Sequence, residues 1–226
     1  DEVLRLRPER VALFGYAHVP WMKKHQTMID ERALPDAAAR FAQAQAAALM
    51  LREAGYVAIG IDHFALPEDG LSMALQAGKM RRNFQGYTVD EADALIGLGA
   101  SAIGRLPQGH VQNMPATGEY QRRVKAGDLA TVRGHAMSDD DRAREAVIEK
   151  LMCEFGFGKG WLCLRHGDAA LPLFDIANRM VAEGEYLHKS GDRYEIIEAM
   201  RPFARQVAAR FDAYLETGAA RHSMAV

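Results

Sequence analysis

The sequence holds 226 residues, 49% hydrophobic and 26% charged, with a formal net charge of −2. That composition is ordinary for one large globular domain or two small ones, and the absence of a basic surplus argues against nucleic acid or an anionic membrane as partner. No apolar run approaches the roughly 18 residues of a membrane span. The two cysteines, Cys153 and Cys163, form no metal-ligand pattern and are expected as buried thiols in a reducing, cytoplasmic setting.

The chain starts at Asp1 and soon enters the apolar run Val11–Tyr16. Such a run predicts a strand buried on both faces of a parallel sheet. A strand of this kind needs neighbours, so a piece of a longer chain is expected. A polar loop follows from His18 to Pro35. Pro35-Asp36 then opens a helix that runs to Glu53, with Ala37, Phe41, Ala44, Ala48 and Leu51 on one face and Gly55 as its stop. Tyr56–Ile61 reads as a second buried strand. Strand, helix and strand together predict an α/β sheet or barrel segment. The two strands end in Tyr16-Ala17-His18 and Asp62-His63-Phe64. Ligands bind beyond the carboxyl ends of parallel strands, which makes these side chains candidates for a site. The plainer alternative is two strand-end histidines that cap carbonyls.

Ser72–Met80 suits a short helix. The stretch Arg81-Arg82-Asn83-Phe84-Gln85-Gly86-Tyr87 does not read as core, because no helical or strand period runs through it. Ala94–Ile96 suggests a strand that leads into the glycine-rich run Gly97–Gly104. Its spacing is G-x-G-x4-G, and no amphipathic helix follows directly, so it is not a dinucleotide fingerprint. The glycines instead allow close approach of backbone to a ligand or to another segment. Ala116–Asp128 resembles a connecting helix.

A second unit begins near Ser138, which can cap a helix through Phe155, with Asp139, Asp140 and Asp141 complementing its dipole. Ala143, Val147, Leu151 and Phe155 form its apolar face. A helix over Leu173–Ala182 stops at Gly184. A hairpin turns at Ser190-Gly191-Asp192, and a last helix from Pro202 carries Phe203, Val207, Phe211 and Leu215. Helices plus a hairpin predict a mainly α, winged-helix-like module. Residues 138–226 hold 12 Lys and Arg against 15 Asp and Glu, a net −3, so a lid or docking role is expected rather than DNA binding.

Four runs in this order carry a resemblance: "FGYAHVPW" (Phe14–Trp21), "GYVAIGIDHFALPED" (Gly55–Asp69), "RRNFQGYT" (Arg81–Thr88) and "GLGASAIG" (Gly97–Gly104). They resemble the oxygen-independent coproporphyrinogen III oxidases, radical S-adenosylmethionine (SAM) enzymes of haem biosynthesis. The closing "FARQVAARFDAYL" (Phe203–Leu215) looks like that family's last helix. Haem-chaperone paralogues share the barrel but lack the Asn-Phe-Gln-Gly-Tyr segment. The resemblance covers the family's C-terminal half. It implies an α/β fold made of the last strands of a radical-SAM-type barrel with its extension (residues 1–115), followed by the helical, winged-helix-like domain (residues 116–226). The family's CxxxCxxC motif, whose thiolates hold a [4Fe-4S] cluster, is absent from the sequence. The chain alone is therefore expected to bind no cluster and to be inactive.

The resemblance implies conversion of coproporphyrinogen III to protoporphyrinogen IX. Two propionates would lose CO2 after hydrogen abstraction by a SAM-derived radical. It also implies two bound SAM molecules and an electron donor protein as partner. Carried over residue by residue, Ala17, Ile103, Phe84 and Gln85 would contact SAM. Small residues at Ala17, Gly97, Gly99 and Ser101 would let backbone close around it. Tyr16, His18, Asp62, His63 and Tyr87 lie in matching runs and are substrate-site candidates. Arg81, Arg82, Lys79, Lys23 and Lys24 could meet the four propionates, arginine being the better fork for a carboxylate; the competing reading for each cation is a solvated face. A second reading of the whole chain is a non-catalytic haem- or porphyrin-binding paralogue. Self-association through the apolar first strand is also expected.

Overall fold

The computed structural model describes residues 2–215, and all structural statements concern these. A short helix α1 (Glu2–Leu6) leads into strand β1 (Arg10–Ala12). Helix α2 (Ala37–Glu53) follows a loop that holds two 3-10 turns, and it begins where Asp36 Oδ1 accepts from Ala39 N at 2.8 Å. Phe41, Ala44 and Ala48 are half-buried and Leu51 is buried, whereas Ala37 is exposed. Strands β2 (Val57–Ile59) and β3 (His63–Ala65) come next.

These three strands form a sheet in the order β1-β3-β2 with both pairings antiparallel. The sheet is antiparallel where the apolar runs predict a parallel one. β1 and β2 do run the same way across α2, but β3 lies between them. The chain reverses at Gly60, at φ +56°, so Asp62-His63 opens β3 instead of ending β2. The run Val11–Tyr16 forms regular strand only as far as Ala12. Phe14 is 62% exposed, because β1 is an edge strand that turns Val11 and Leu13 inward and its alternate side chains out.

Helix α3 (Gly70–Gln76) is shorter than expected. Asp69 caps it through Leu71 N at 2.7 Å and ties it to β1 through Arg10 Nε at 2.8 Å. The segment without a period proves to be a hairpin. Strand β4 (Arg81–Asn83) pairs with β5 (Gly86–Thr88) around a two-residue turn of Phe84 and Gln85. Each strand has only three residues, too few for a period to be visible. Ala94–Ile96 forms no strand, only an isolated bridge between Leu95 and Arg105.

Strands β6 (Ile103–Leu106), β7 (Gly109–Asn113) and β8 (Thr131–Ala136) make a second antiparallel sheet, and α4 (Thr117–Lys125) connects β7 to β8. This sheet straddles the division at residues 115 and 116.

The rest is a helical unit. Helix α5 (Asp139–Glu154) has a capping box in which Ser138 Oγ accepts from Asp141 N and Asp141 accepts from Ser138 N. Strand β9 (Gly156–Gly158) follows, then α6 (Lys159–His166) and α7 (Leu171–Glu183), which ends at Gly184. The hairpin β10 (Leu187–Ser190) and β11 (Arg193–Ile196) turns as expected and joins β9 in a sheet of order β10-β11-β9. The last helix is shorter than expected. Pro202 sits in a 3-10 turn, α8 spans Ala204–Ala209, and Phe211 packs beyond its end. Val147, Leu151, Leu162, Leu173, Tyr194 and Phe211 are fully buried in this unit.

Candidate functional site

The β4–β5 hairpin lies between the first sheet and α5, and three contacts hold it there. Glu149 of α5 accepts from Arg81 Nε at 3.0 Å and from Arg82 N at 3.1 Å. Tyr87 reaches through the interior: its hydroxyl accepts from Ile61 N and donates to Met152 O, both at 3.1 Å. Burial pushes that phenol up to about 12. The third contact is aromatic, with the His63 ring edge-on to Tyr87 at 5.1 Å and edge-on to Phe14 at 5.7 Å.

His63 is fixed from its other side. Asp62 Oδ1 lies 2.6 Å from His63 Nδ1, and Asp62 Oδ2 accepts from Arg205 Nη2 at 2.5 Å. The Nε2 atom faces Gly86, where an added Cβ would stand 3.5 Å away. The carboxylate and a cation from the last helix thus orient an imidazole towards the hairpin. Asp62, His63 and Tyr87 are brought together as one constellation.

Tyr16, Ala17 and His18 lie in a loop after β1 that is ordered by Gln26. This glutamine is nearly buried, donates to Ala17 O at 3.1 Å and accepts from Val19 N at 2.6 Å. His18 bridges Tyr16 and Glu31, at 3.3 and 3.1 Å. The side chains of Tyr16 and Ala17 are exposed. No hydrogen bond, ion pair or ring contact among the described residues joins Tyr16, Ala17 or His18 to the β4–β5 turn.

Phe84 and Gln85 form that turn. Asn83 Oδ1 accepts from Gln85 N at 2.9 Å, and Phe84 is 53% exposed. The Phe84 ring stands edge-on to His110 of β7 at 5.2 Å. Ile103 begins β6, two residues before Arg105, which pairs with His110. Phe84, Arg81, Arg82, Arg105 and His110 line a cavity of about 250 Å³ between the hairpin and α5. Ala17, Gln85 and Ile103 do not line it. Lys79 lines a neighbouring cavity of about 370 Å³, and Lys23 and Lys24 are exposed.

The glycine-rich run packs on the chain itself. A Cβ at Gly97 would meet Ile103 O at 2.8 Å. Asn113 Nδ2 donates to Gly97 O and Gly99 O, and Tyr120 accepts from Gly99 N. Ser101 holds φ +61°. Asn113 and Tyr120 thus set this loop's shape, together with the glycines.

For an iron–sulfur cluster the described residues do not fit. No group of three His, Cys, Asp or Glu could hold a metal ion. Cys153 is buried with its thiol pushed up to about 12 by desolvation, and Cys163 is half-buried. For a nucleoside such as SAM the exposed Phe84 ring and Gln85 amide are suitable partners by chemistry. No helix among the described residues is long and apolar enough to cross a membrane.

Glu149, Arg205, Gln26, Asn113 and His110 were missed in the sequence. Glu149 lies on the polar side of an ordinary amphipathic helix, and Arg205 is 143 positions from its partner. No local signal marks either.

By architecture the chain is similar to a radical SAM enzyme. It superposes on the structure of coproporphyrinogen III oxidase (HemN) from Escherichia coli with a TM-score of 0.86 and 30% identity, over 95% of this chain and 50% of that one. No family model matches the sequence. Among individual proteins, the oxygen-independent coproporphyrinogen III oxidase of Bradyrhizobium diazoefficiens is 48% identical over 99% of this chain. That of Thermostichus vulcanus is 36% identical over 97% of this chain and 69% of its own length. The chain belongs to the oxygen-independent coproporphyrinogen III oxidase family. It spans about half the length of most of the relatives it matches.

Proposed function

We propose that this chain is the substrate-side and SAM-side half of an oxygen-independent coproporphyrinogen III oxidase, which converts coproporphyrinogen III to protoporphyrinogen IX by decarboxylating two propionates. The observation that carries the reading is the 48% identity that spans 99% of this chain. Residues 1–115 are then the C-terminal part of a radical SAM barrel with its extension. The parallel course of β1 and β2 across α2 supports this. Residues 116–226 are a winged-helix-like domain, supported by the hairpin β10–β11 beside α5, α6 and α7.

A reduced [4Fe-4S] cluster and SAM supply the hydrogen-abstracting chemistry when bound. The described residues offer no cluster ligands, so this chain acts only beside a cluster-binding part and is inactive by itself. An electron donor protein serves the whole enzyme, in the cytoplasm. Ala17, Phe84, Gln85 and Ile103 hold SAM, with Phe84 as the stacking surface and Gln85 as the polar contact. His63, oriented by Asp62 and Arg205, sits beside Tyr87 facing the substrate, and Tyr16 and His18, in the loop that follows Phe14, are further substrate contacts. Arg81 and Arg82 receive propionates. Enclosure of the site keeps water from a reactive radical.

The full-length protein, reconstituted anaerobically with iron and sulfide, is given coproporphyrinogen III, SAM and a reductant. Protoporphyrinogen IX and 5′-deoxyadenosine are the expected products; an intact cluster with neither product sinks the reading and favours a binding paralogue. In the same assay Gln85→Ala should cut turnover by about tenfold, the size of one lost hydrogen bond in the transition state, with the cluster's absorbance unchanged. Turnover at the wild-type rate would remove Gln85 from the site.

A further inference from the structure

Two buried polar atoms in the described structure have no hydrogen-bond partner, Arg82 Nη1 and His110 Nδ1. Both residues line the same 250 Å³ cavity, although they come from different sheets. An orphaned buried donor is costly, and a charged one more so. Two at one cavity call for a common explanation, and an anion supplies it.

The charges around the cavity point the same way. Arg81 is paired with Glu149 and Arg105 with Glu145, each at 3.0 Å. Arg82 forms no ion pair among the described residues. Its guanidinium lies over the Tyr87 ring, 4.8 Å from the centroid. A planar fork with an unpartnered nitrogen beside an aromatic ring suits a carboxylate. His110 is also held: its Nε2 lies 3.7 Å from Glu145 and its ring stands on the edge of Phe84. With Glu145 on the Nε2 side, Nδ1 donates into the cavity in the doubly protonated form of the ring, in which both nitrogens carry N–H.

We propose that Arg82 and His110 together form a carboxylate seat in the cavity between the β4–β5 hairpin and α5. Arg82 supplies the charge and His110 supplies a second N–H. This rests on the functional reading above. Within it, two ligands carry a carboxylate: a propionate arm of the porphyrinogen, and the methionyl end of SAM. The neighbouring Phe84 makes both reachable from one site.

The test uses the full-length, cluster-loaded protein and three probes: coproporphyrin III, its tetramethyl ester and SAM. Arg82→Met keeps a stem over Tyr87 without the charge, and His110→Phe keeps the edge against Phe84 without the N–H. Each should weaken coproporphyrin III binding about tenfold or more and leave the ester unmoved. Arg82→Lys should recover part of the loss, and it serves, with His110→Asn, where thermal melting shows that the first variants have not folded. A loss confined to SAM keeps the carboxylate seat and assigns it to the methionyl end. Unchanged affinity for all three probes, or an equal loss for acid and ester, overturns the seat. So does a wild-type protein that binds neither ligand. A wild type that binds both ligands yet forms no protoporphyrinogen IX from coproporphyrinogen III defeats the oxidase reading instead and leaves the binding comparison standing.

Discussion

Tyr87 joins three parts of the molecule through one hydroxyl. It takes the Ile61 N–H where β2 turns, gives its proton to Met152 O on α5, and belongs itself to β5. Gly60 makes room for it: a Cβ there would stand 2.0 Å from the Tyr87 hydroxyl, and the backbone at φ +56° also favours glycine. Tyr87→Phe should cost about 1–3 kcal/mol by leaving both backbone groups unpaired, measured as a shift in urea midpoint. The pH dependence has a definite sign. Burial raises the folded phenol from 10.0 to about 12, so its stabilisation is complete below pH 10 and is lost as pH rises towards 12. The phenylalanine variant should lose that part of the alkaline slope. An unchanged slope would show that another group titrates there.

Helix α5 shows what a short local pattern settles at the scale of an element. Ser138 and Asp141 cap its first turn reciprocally, and Tyr214 also donates to Asp141 Oδ1 at 2.8 Å. Burial works to raise the Asp141 carboxyl, but bonds from Ser138, Tyr214 and His135 outweigh it and hold it at about 2, below the usual 3.8. The depressed carboxylate stabilises the fold above pH about 4, and that contribution fades as pH falls towards 2. Asp141→Asn should lower the thermal midpoint at pH 7 and flatten its fall between pH 4 and 2. An unaltered acid profile would contradict the cap. The opposite end of α5 breaks the usual rule: Phe155 occupies the left-handed region at φ +57° where glycine is common. Its carbonyl accepts from Ile196 N at 2.7 Å, and Arg201 stacks on its ring. Tertiary contacts therefore hold a conformation that the residue itself disfavours.

Across the whole molecule, burial is uneven. The helical unit encloses a dry core of Val147, Leu151, Phe157, Leu162 and Phe211. The loops outside that unit leave large side chains in water: Phe14, Met22 and Met28 are 62%, 69% and 85% exposed, and Leu98 and Leu129 are more exposed still. Large apolar side chains left in water favour association. Expressed by itself, the chain should self-associate in a concentration-dependent way, read by sedimentation velocity. Phe14→Ser with Met22→Ser should reduce this, and a monomer at all concentrations would refute it.

The starts of α2 and α5, the end of α7 and the β10–β11 hairpin were determined by the sequence itself. Their causes are local: Asp36, Ser138 and Gly184 act on backbone groups within a few residues of themselves. The family resemblance was legible for a related reason, since short runs such as Arg81–Thr88 keep their identity in any context. Three things were decided only by the tertiary structure. The first is the antiparallel placement of β3 between β1 and β2, because an apolar run shows burial but not the direction of its partner. The second is the pairing of the Arg81–Tyr87 segment into a hairpin, whose three-residue strands are too short to show a period. The third is the set of partners that make the candidate site. Arg81 meets Glu149 68 positions away, and Asp62 meets Arg205 143 away. Such contacts depend on how whole elements pack, and no local spacing records them.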